Sequence, residues 1–420
     1  MIFSIVLFAI TYVLMLALSK YRTYIALGSA LVFIISGMLP LDKALGAIDF
    51  NVLLMIAGSM GLVKLFIDSK MPDRLAEKII DKVKNVQMAA VALALFAGII
   101  SAFVDNVATV LMVAPIAVQM CKKLNTNPIP FIIGIAVSSN LQGAATLVGD
   151  TTSIMLGGEA GMSFLDFFWY QGKPSIFFAV ELGAIVSAFI IAFVFRKEKQ
   201  PIPKQEANTN VDDYVPTTLL LAMLSLLIGA SFIESKPDIT NGLICCILFA
   251  IGLIYNFIRY KDKEIILGTV RAIDFQTLGL LLGLFLIIGG ITEQGVIDEA
   301  AKLLAKLGNG NEFLLFTIIV WASVLISAFI DNIPYVATML PIITGLGINP
   351  TLLYFGLLSG ATLGGNCTPI GASANITGTA ILRKAGYEVK NKDFFKIGIP
   401  FTLAAVISAY VYLLIVYGSH

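Results

Sequence analysis

Two carboxylates stand where the sequence is otherwise apolar. Asp105 and Asp331 close nearly identical stretches, Ser101-Ala102-Phe103-Val104-Asp105-Asn106 and Ser327-Ala328-Phe329-Ile330-Asp331-Asn332, 226 positions apart, and a proline (Pro115, Pro341) follows each ten residues later. An ionisable carboxylate in such a run is costly unless it faces a polar cavity or carries function. Each is followed by a second polar interruption. The first runs from Ser138-Ser139-Asn140-Leu141-Gln142-Gly143 to Gly149-Asp150-Thr151-Thr152-Ser153, and the second is Gly364-Gly365-Asn366-Cys367-Thr368-Pro369-Ile370-Gly371. Carboxylate, amide and hydroxyl oxygens beside unwound carbonyls suit a hard monovalent cation, and half-helix N-termini suit an anionic or oxygen-rich substrate. A carboxylate in a dry cavity can carry protons instead.

Only the first half brings a second carboxylate, Asp150, towards its tip; the second offers Ala372, Ser373 and Asn375. Two carboxylates within about 4–6 Å repel or recruit a cation. The expected coupling-ion residues are therefore Asp105, Asn106, Thr109, Asn140, Thr146, Asp150 and Thr151, with Asp331 at the equivalent tip. Asn332, Asn366, Thr368, Ser373 and Asn375 are expected to lean towards the substrate. No Lys or Arg is counted within the spans, so an anion would be held by helix dipoles, amides and a co-bound cation. Asp49, Asp274, Asp166 and Asp393 sit at span ends and read as caps or interfacial charges.

The elements that must position these groups are membrane helices. Hydrophobic residues make up 58% of the chain and charged ones 13%, and the mean hydropathy is +0.91. Soluble domains carry about 25% charged residues, and windows of about 20 nearly uncharged residues are long enough to cross the hydrocarbon. The chain reads as spans at 2–19, 23–40, 49–67 and 174–195, an amphipathic helix at 71–85, a re-entrant hairpin with arms 87–104 and 107–121, a broken helix at 129–158 and an interfacial piece at 161–171. The second half repeats the plan: spans at 216–234, 238–258, 272–291 and 398–417, an amphipathic segment at 295–307, a hairpin at 313–346 and a broken helix at 351–381.

Matched residues lie 225 (Asp49, Asp274), 226 (Asp105, Asp331), 222 (Gly149, Gly371) and 227 (Asp166, Asp393) positions apart. The expected fold is thus an all-α polytopic membrane protein of two repeats, each with five spans, one of them the broken helix, plus one re-entrant hairpin. The repeats are 1–195 and 216–420, joined by a polar linker at 196–215. Five crossings per half invert the topology of the second repeat. This arrangement puts 23 of the 28 basic residues on one side; Lys43, Lys173, Lys236, Lys302 and Lys306 are left on the other. The positive-inside rule makes the first side cytoplasmic. Both termini are then outside and the linker is cytoplasmic, in a plasma (inner) membrane.

A net charge of +1 implies no nucleic-acid partner. Cys121, Cys245, Cys246 and Cys367 have no zinc spacing, and the one histidine, His420, is the last residue. No P-loop is present. Leu147-Val148-Gly149-Asp150 lacks the Gly-x-Gly-Asp of an intramembrane aspartyl protease, so no enzyme is expected. No cofactor is expected beyond a coupling Na⁺ or H⁺.

Asp105-Asn106 with Thr109, Gly149-Asp150-Thr151-Thr152, and the run from Gly364 through Asn375 resemble the ion transporter superfamily. The similarity is to its citrate-transporter-like branch of arsenite permeases, NhaD-type sodium/proton antiporters and the melanosomal P protein. The resemblance implies alternating access, a scaffold of outer spans around a transport unit of hairpins and broken helices, and a homodimer. The expected function is ion-coupled secondary transport of a small anion, an arsenite-like oxyanion or a small carboxylate. A sodium/proton antiporter is the alternative within transport, and a passive channel the alternative outside it. Orientation is directly testable. A cysteine placed by Lys236→Cys is expected to react with an impermeant maleimide from outside and one placed by Lys204→Cys is not; the reverse pattern overturns the assignment.

Overall fold

The computed structural model describes residues 1–202, 209–211 and 213–418. Residues 203–208 and 212 of the expected linker, and His420, lie outside the described residues. The chain opens with α1 (Ile2–Ala17) and α2 (Arg22–Ile35), which meet at a 113° bend. Both are shorter than the spans expected at 2–19 and 23–40 and rise only about 21–24 Å at 1.5 Å per residue. A left-handed Gly37 (φ 74°) followed by Pro40 ends the second early. There follow α3 (Leu41–Ala44), α4 (Phe50–Asp68), the amphipathic α5 (Met71–Lys82), the hairpin arms α6 (Val86–Ser101) and α7 (Asn106–Leu124), and the two pieces of the broken helix, α8 (Ile129–Gly143) and α9 (Thr151–Glu159). A two-residue antiparallel pair, β1 (Trp169–Tyr170) and β2 (Lys173–Pro174), precedes α10 (Ile176–Val194).

The second half comprises α11 (Val215–Ala230), α12 (Thr240–Tyr260), α13 (Lys263–Arg271), α14 (Phe275–Glu293), α15 (Val296–Gly308), the hairpin arms α16 (Glu312–Ser327) and α17 (Asn332–Thr344), the broken pair α18 (Thr351–Gly364) and α19 (Ser373–Lys384), and α20 (Asn391–Tyr417). Among the described residues six helices (α4, α7, α10, α12, α14, α20) are long and apolar enough to cross a membrane singly; α1–α2 and α15–α16 are so only as bent pairs. The molecule is an all-α polytopic membrane protein apart from the β1–β2 pair, whose first strand falls in the interfacial piece expected at 161–171 and whose second reaches the start of the span expected at 174–195. Two further features differ from that reading. α13 is a separate helix, started by Asp262 accepting from the Glu264 amide. α20 begins before the expected span and takes in Asp393-Phe394-Phe395, whereas its counterpart Asp166 lies in a single 3-10 turn and caps the Ser163 amide.

Local chemistry starts the helices as expected. Asp49 accepts from the Val52 amide, and Asp274 from the amides of Gln276 and Thr277. Such a cap is worth about 1 kcal/mol. Small residues set the scaffold packing. A Cβ on Gly58 would lie 2.5 Å from the Cys245 carbonyl carbon, and one on Gly283, 225 positions later, 2.8 Å from that of Ala26. α4 therefore lies on α12 as α14 lies on α2.

Every residue of α18, and every residue of α8 except Pro130, is buried. Non-helical backbone can then follow each of them at membrane depth, because protein rather than lipid surrounds it. Each break is pressed onto a hairpin tip. A Cβ on Gly149 would come 2.8 Å from the carbonyl oxygens of both Ser101 and Ala102; one on Gly371 would come 2.9 Å and 2.8 Å from those of Ser327 and Ala328. Gly149→Ala and Gly371→Ala should each destabilise the purified protein by about 1–3 kcal/mol through overpacking. Gly28→Ala, with open space at its Cβ, should be neutral. Thermal unfolding in detergent checks this, and equal transitions for all three would overturn the close approach.

Candidate functional site

The two hairpin tips use the same local solution. Asp105 is the N-cap of α7, its Oδ1 accepting from the Ala108 amide at 3.0 Å, and Asp331 is the N-cap of α17, its Oδ1 accepting from the Ile333 amide at 3.0 Å. The tips are tied to the breaks through hydroxyls. Thr146 Oγ1 donates to the Ala102 carbonyl, and Thr368 Oγ1 donates to the Ala328 carbonyl at 2.5 Å. Thr146 and Thr368, 222 positions apart, thus clamp equivalent turns.

At the centre the halves exchange amide hydrogen bonds. Asn106 Nδ2 donates to Asn140 Oδ1 at 3.1 Å, and Ser139 Oγ donates to the Asn106 carbonyl at 3.0 Å. Asn140 Nδ2 donates across the halves to the Thr362 carbonyl at 2.7 Å and to Asn366 Oδ1 at 3.1 Å. Asn366 Nδ2 returns the bond to the Val137 carbonyl at 2.9 Å. Thr152 Oγ1 donates to Asp150 Oδ2 at 2.7 Å and lies 3.0 Å from Thr362 Oγ1. Asn375 Nδ2 holds the second break through the carbonyls of Gly365 and Thr368, both at 3.0 Å.

A cavity of about 370 Å³ opens on this centre. Seven of the thirteen expected residues line it: Asp105, Asn106, Asn140, Asp150 and Thr151 from the first half, and Asn332 and Ser373 from the second. Thr109 and Thr146 lie behind it, as do Asn366, Thr368 and Asn375, whose amide or hydroxyl donors are engaged by backbone carbonyls. The hydroxyl of Thr109 and Oδ1 of Asn375 are buried without a hydrogen-bond partner.

Asp331 also lines no part of the cavity, because Arg22 at the start of α2 takes its Oδ2 in an ion pair. Asp105 has no ion-pair partner among the described residues. The equivalence of the two tips is therefore broken by one scaffold arginine. The sequence reading missed this because Arg22 and Asp331 lie 309 positions apart.

The cavity also holds residues that the sequence reading left out: Lys64, Asp274, Thr277 and Thr377. Lys64 corrects the count of spans free of cations. It lies within α4, lines the cavity and pairs with Asp68 one turn on. In the sequence it stands at the end of an apolar run, where it reads as one of the cytoplasmic basic residues.

A second cavity, of about 600 Å³, is lined by Asp42, Lys43, Asp49, Glu159 and Glu293 among others. Its Ala47, Asp49, Val52, Phe285, Ile288, Gly289 and Thr292 stand 225 positions from Ala272, Asp274, Thr277, Met60, Val63, Lys64 and Ile67 of the first. It does not reach Asp105, Asp150 or Asn140.

Buried polar breaks, paired hairpins and a polar cavity inside an apolar helical body define a membrane transporter. Solved structures share the fold. The Alcanivorax borkumensis YdaH transporter superposes with a TM-score of 0.61 at 14% identity, over 89% of this chain and 87% of that one. Neisseria gonorrhoeae MtrF does so with 0.56 at 15%, over 91% and 82%. The citrate transporter family model matches residues 5–347 and 243–420, and the chain belongs to that family. It is 27% identical to an uncharacterized transporter of Mycobacterium tuberculosis over 98% of both chains, and 31% identical to a 46 kDa membrane protein of Mycobacterium leprae over 74% of this chain and 73% of that one. It is also 27% identical to the human P protein over 88% of this chain and 54% of that one.

The Asn140–Asn366 bond makes a coupling prediction. Asn140→Ala and Asn366→Ala should each cost about 1–3 kcal/mol by leaving a buried partner unsatisfied. The double variant should lose little more than either alone, since contacting residues are non-additive. Additive losses in thermal unfolding would show that the two amides do not depend on each other.

Proposed function

We propose that this secondary transporter moves a small anion, an oxyanion or a small carboxylate by alternating access, coupled to Na⁺ or H⁺ at Asp105 and Asp150. The observation that carries this is the pair of cavities. Their walls use positions 225 apart in the chain, yet only one of them touches the centre. Two inverted repeats exchanging roles would open the same centre first through one wall and then through the other. The rim residues Lys64, Ile67 and Ala272 adjoin the basic segments at Lys70 and Arg271, so the charge asymmetry makes the connected cavity the cytoplasmic one. On this reading the conformation is inward-open, and the Arg22–Asp331 pair is one of its contacts.

The chemistry divides between the walls. Asp105 and Asp150 face one cavity without an ion-pair partner among the described residues, next to the oxygens of Asn140 and Thr151. That is a hard, oxygen-rich setting for a monovalent cation, or a pair able to hold a proton between them. Lys64 at the rim, with Asn332 and Ser373 at the N-termini of α17 and α19, supplies the positive potential an anion needs. Asp331 is excluded from the ion by its guanidinium partner. Asn366, Thr368 and Asn375 act on the site by holding the breaks rather than by touching substrate. One specific observation favours sodium/proton antiport as a second reading: Asp105, Asp150 and Asp274 face the cavity against a single cation, Lys64, which is already paired.

Proteoliposomes test both readings with arsenite, citrate, succinate, phosphate, sulfate and Na⁺, each with and without a pH gradient. Asp105→Asn and Asp150→Asn should lower gradient-driven uptake at least about tenfold, the equivalent of about 1.4 kcal/mol, while leaving substrate exchange. Normal ion dependence in both variants would overturn the coupling assignment. Sodium-dependent proton flux with no anion uptake would decide for the antiporter.

A further inference from the structure

One carboxylate in the apolar body takes no part in the cavity. Glu181 lies in the second turn of α10, about 7.5 Å along the helix from Ile176 at 1.5 Å per residue. It flanks the outward face formed by Phe178, Leu182 and Ile185. Its polar contact is Gln142, whose Nε2 lies 3.4 Å from Glu181 Oε2.

Gln142 is the last polar residue of α8 before the break and is 1% exposed. Its carboxamide lies over Gly98 of α6, where a Cβ would come 2.1 Å from Oε1. That Oε1 is buried and has no hydrogen-bond partner. A carboxylate and an orphaned carbonyl oxygen therefore sit side by side, and the second needs a donor that the first can supply only when it carries a proton.

We propose that Glu181 and Gln142 form a proton-binding site behind the first hairpin, separate from the cavity. A proton from the aqueous phase at the Lys173–Ser175 end of α10 forms an O–H bond on Glu181. The carboxamide turns so that Oε1 accepts from that hydroxyl; when the proton leaves, Nε2 donates to the carboxylate instead.

Among the described residues no other charge competes from the helices packed against α10. α6 and α8 carry no charged residue. The charged residues of α20 are confined to its first two turns, at Lys392, Asp393 and Lys396, whereas Gly183 on α10 meets Ala405. The Tyr410 and Tyr412 hydroxyls are engaged by Thr317 and by the Pro174 carbonyl. The second half lacks the pair, since Gly364 stands where the 222-residue offset places Gln142. Gln142 lies beside both the hairpin and the break, so protonation reports directly to the moving parts.

The test needs no transported substrate. A hydrophobic carbodiimide, which modifies protonated carboxyls in an apolar setting, is applied to the full-length protein in lipid across a pH series, and labelled peptides are identified by mass spectrometry. The expected result is labelling at Glu181 that falls about tenfold per pH unit well above its midpoint, as one proton per site requires. A carboxyl C=O infrared band should disappear with the same midpoint and be missing from Glu181→Gln. Absent labelling at Glu181, labelling independent of pH, or an unchanged band in Glu181→Gln each overturns the proposal. None of these results depends on whether Asp105 and Asp150 couple transport. If Glu181→Gln does not fold, the pH series on the native protein decides alone.

Discussion

Hydrocarbon offers no partner to a peptide group, and two stretches of this chain abandon the helix in the middle of the molecule. The rest of the architecture follows from that constraint. Each break can exist only where protein covers it, so α18 is buried throughout and α8 everywhere but Pro130. Each also needs a surface of carbonyls and hydroxyls to lie on, and the C-terminal end of a hairpin arm provides one. Gly149 and Gly371 allow the approach because any side chain would displace those carbonyls. Thr146 and Thr368 then convert close contact into a directed bond. Polar groups are concentrated at the centre because the unwound backbone must be satisfied there, and the same groups are what an ion can use.

The near-symmetry of the halves makes their differences informative. Equivalent tips carry equivalent aspartates, but one is held by Arg22 and the other is left facing the cavity. Equivalent walls line two cavities, but Lys64 stands in one where Gly289 stands in the other. A transporter built from interchangeable halves would bind equally well on both. Here the carboxylates that line the cavity beside the breaks, Asp105 and Asp150, both belong to the first half, and the arginine ties the second hairpin to the scaffold.

Much of this was legible in the sequence because repetition is a strong signal. Asp49 and Asp274, or Gly149 and Gly371, recur at nearly constant separations, and apolar runs interrupted by Gly, Asn and Thr mark the breaks. The hairpins and both broken helices stand within a few residues of where the pattern places them. Long-range pairing was not legible. Nothing near Arg22 announces Asp331, and nothing near Asn140 announces Asn366. Nor does the sequence near Asn366, Thr368 and Asn375 announce that their donors are engaged by backbone carbonyls. α13 was missed because a nine-residue amphipathic helix between two spans reads as a polar loop. The early end of α2 was missed because a glycine in an apolar run carries little weight until its φ is known.

The crossing of amides between Asn140 and Asn366 also has a consequence for how the protein is made. Residue 366 leaves the ribosome 226 residues after residue 140, a delay of roughly 10–45 s at common synthesis rates. Throughout that interval Asn140 can already accept from Asn106, and the first break can already lie on its own hairpin tip, but the bonds to Thr362 and Asn366 are unmade. The bonds that the Asn140 donor makes to Thr362 and Asn366 can therefore close only after the second half has been synthesised.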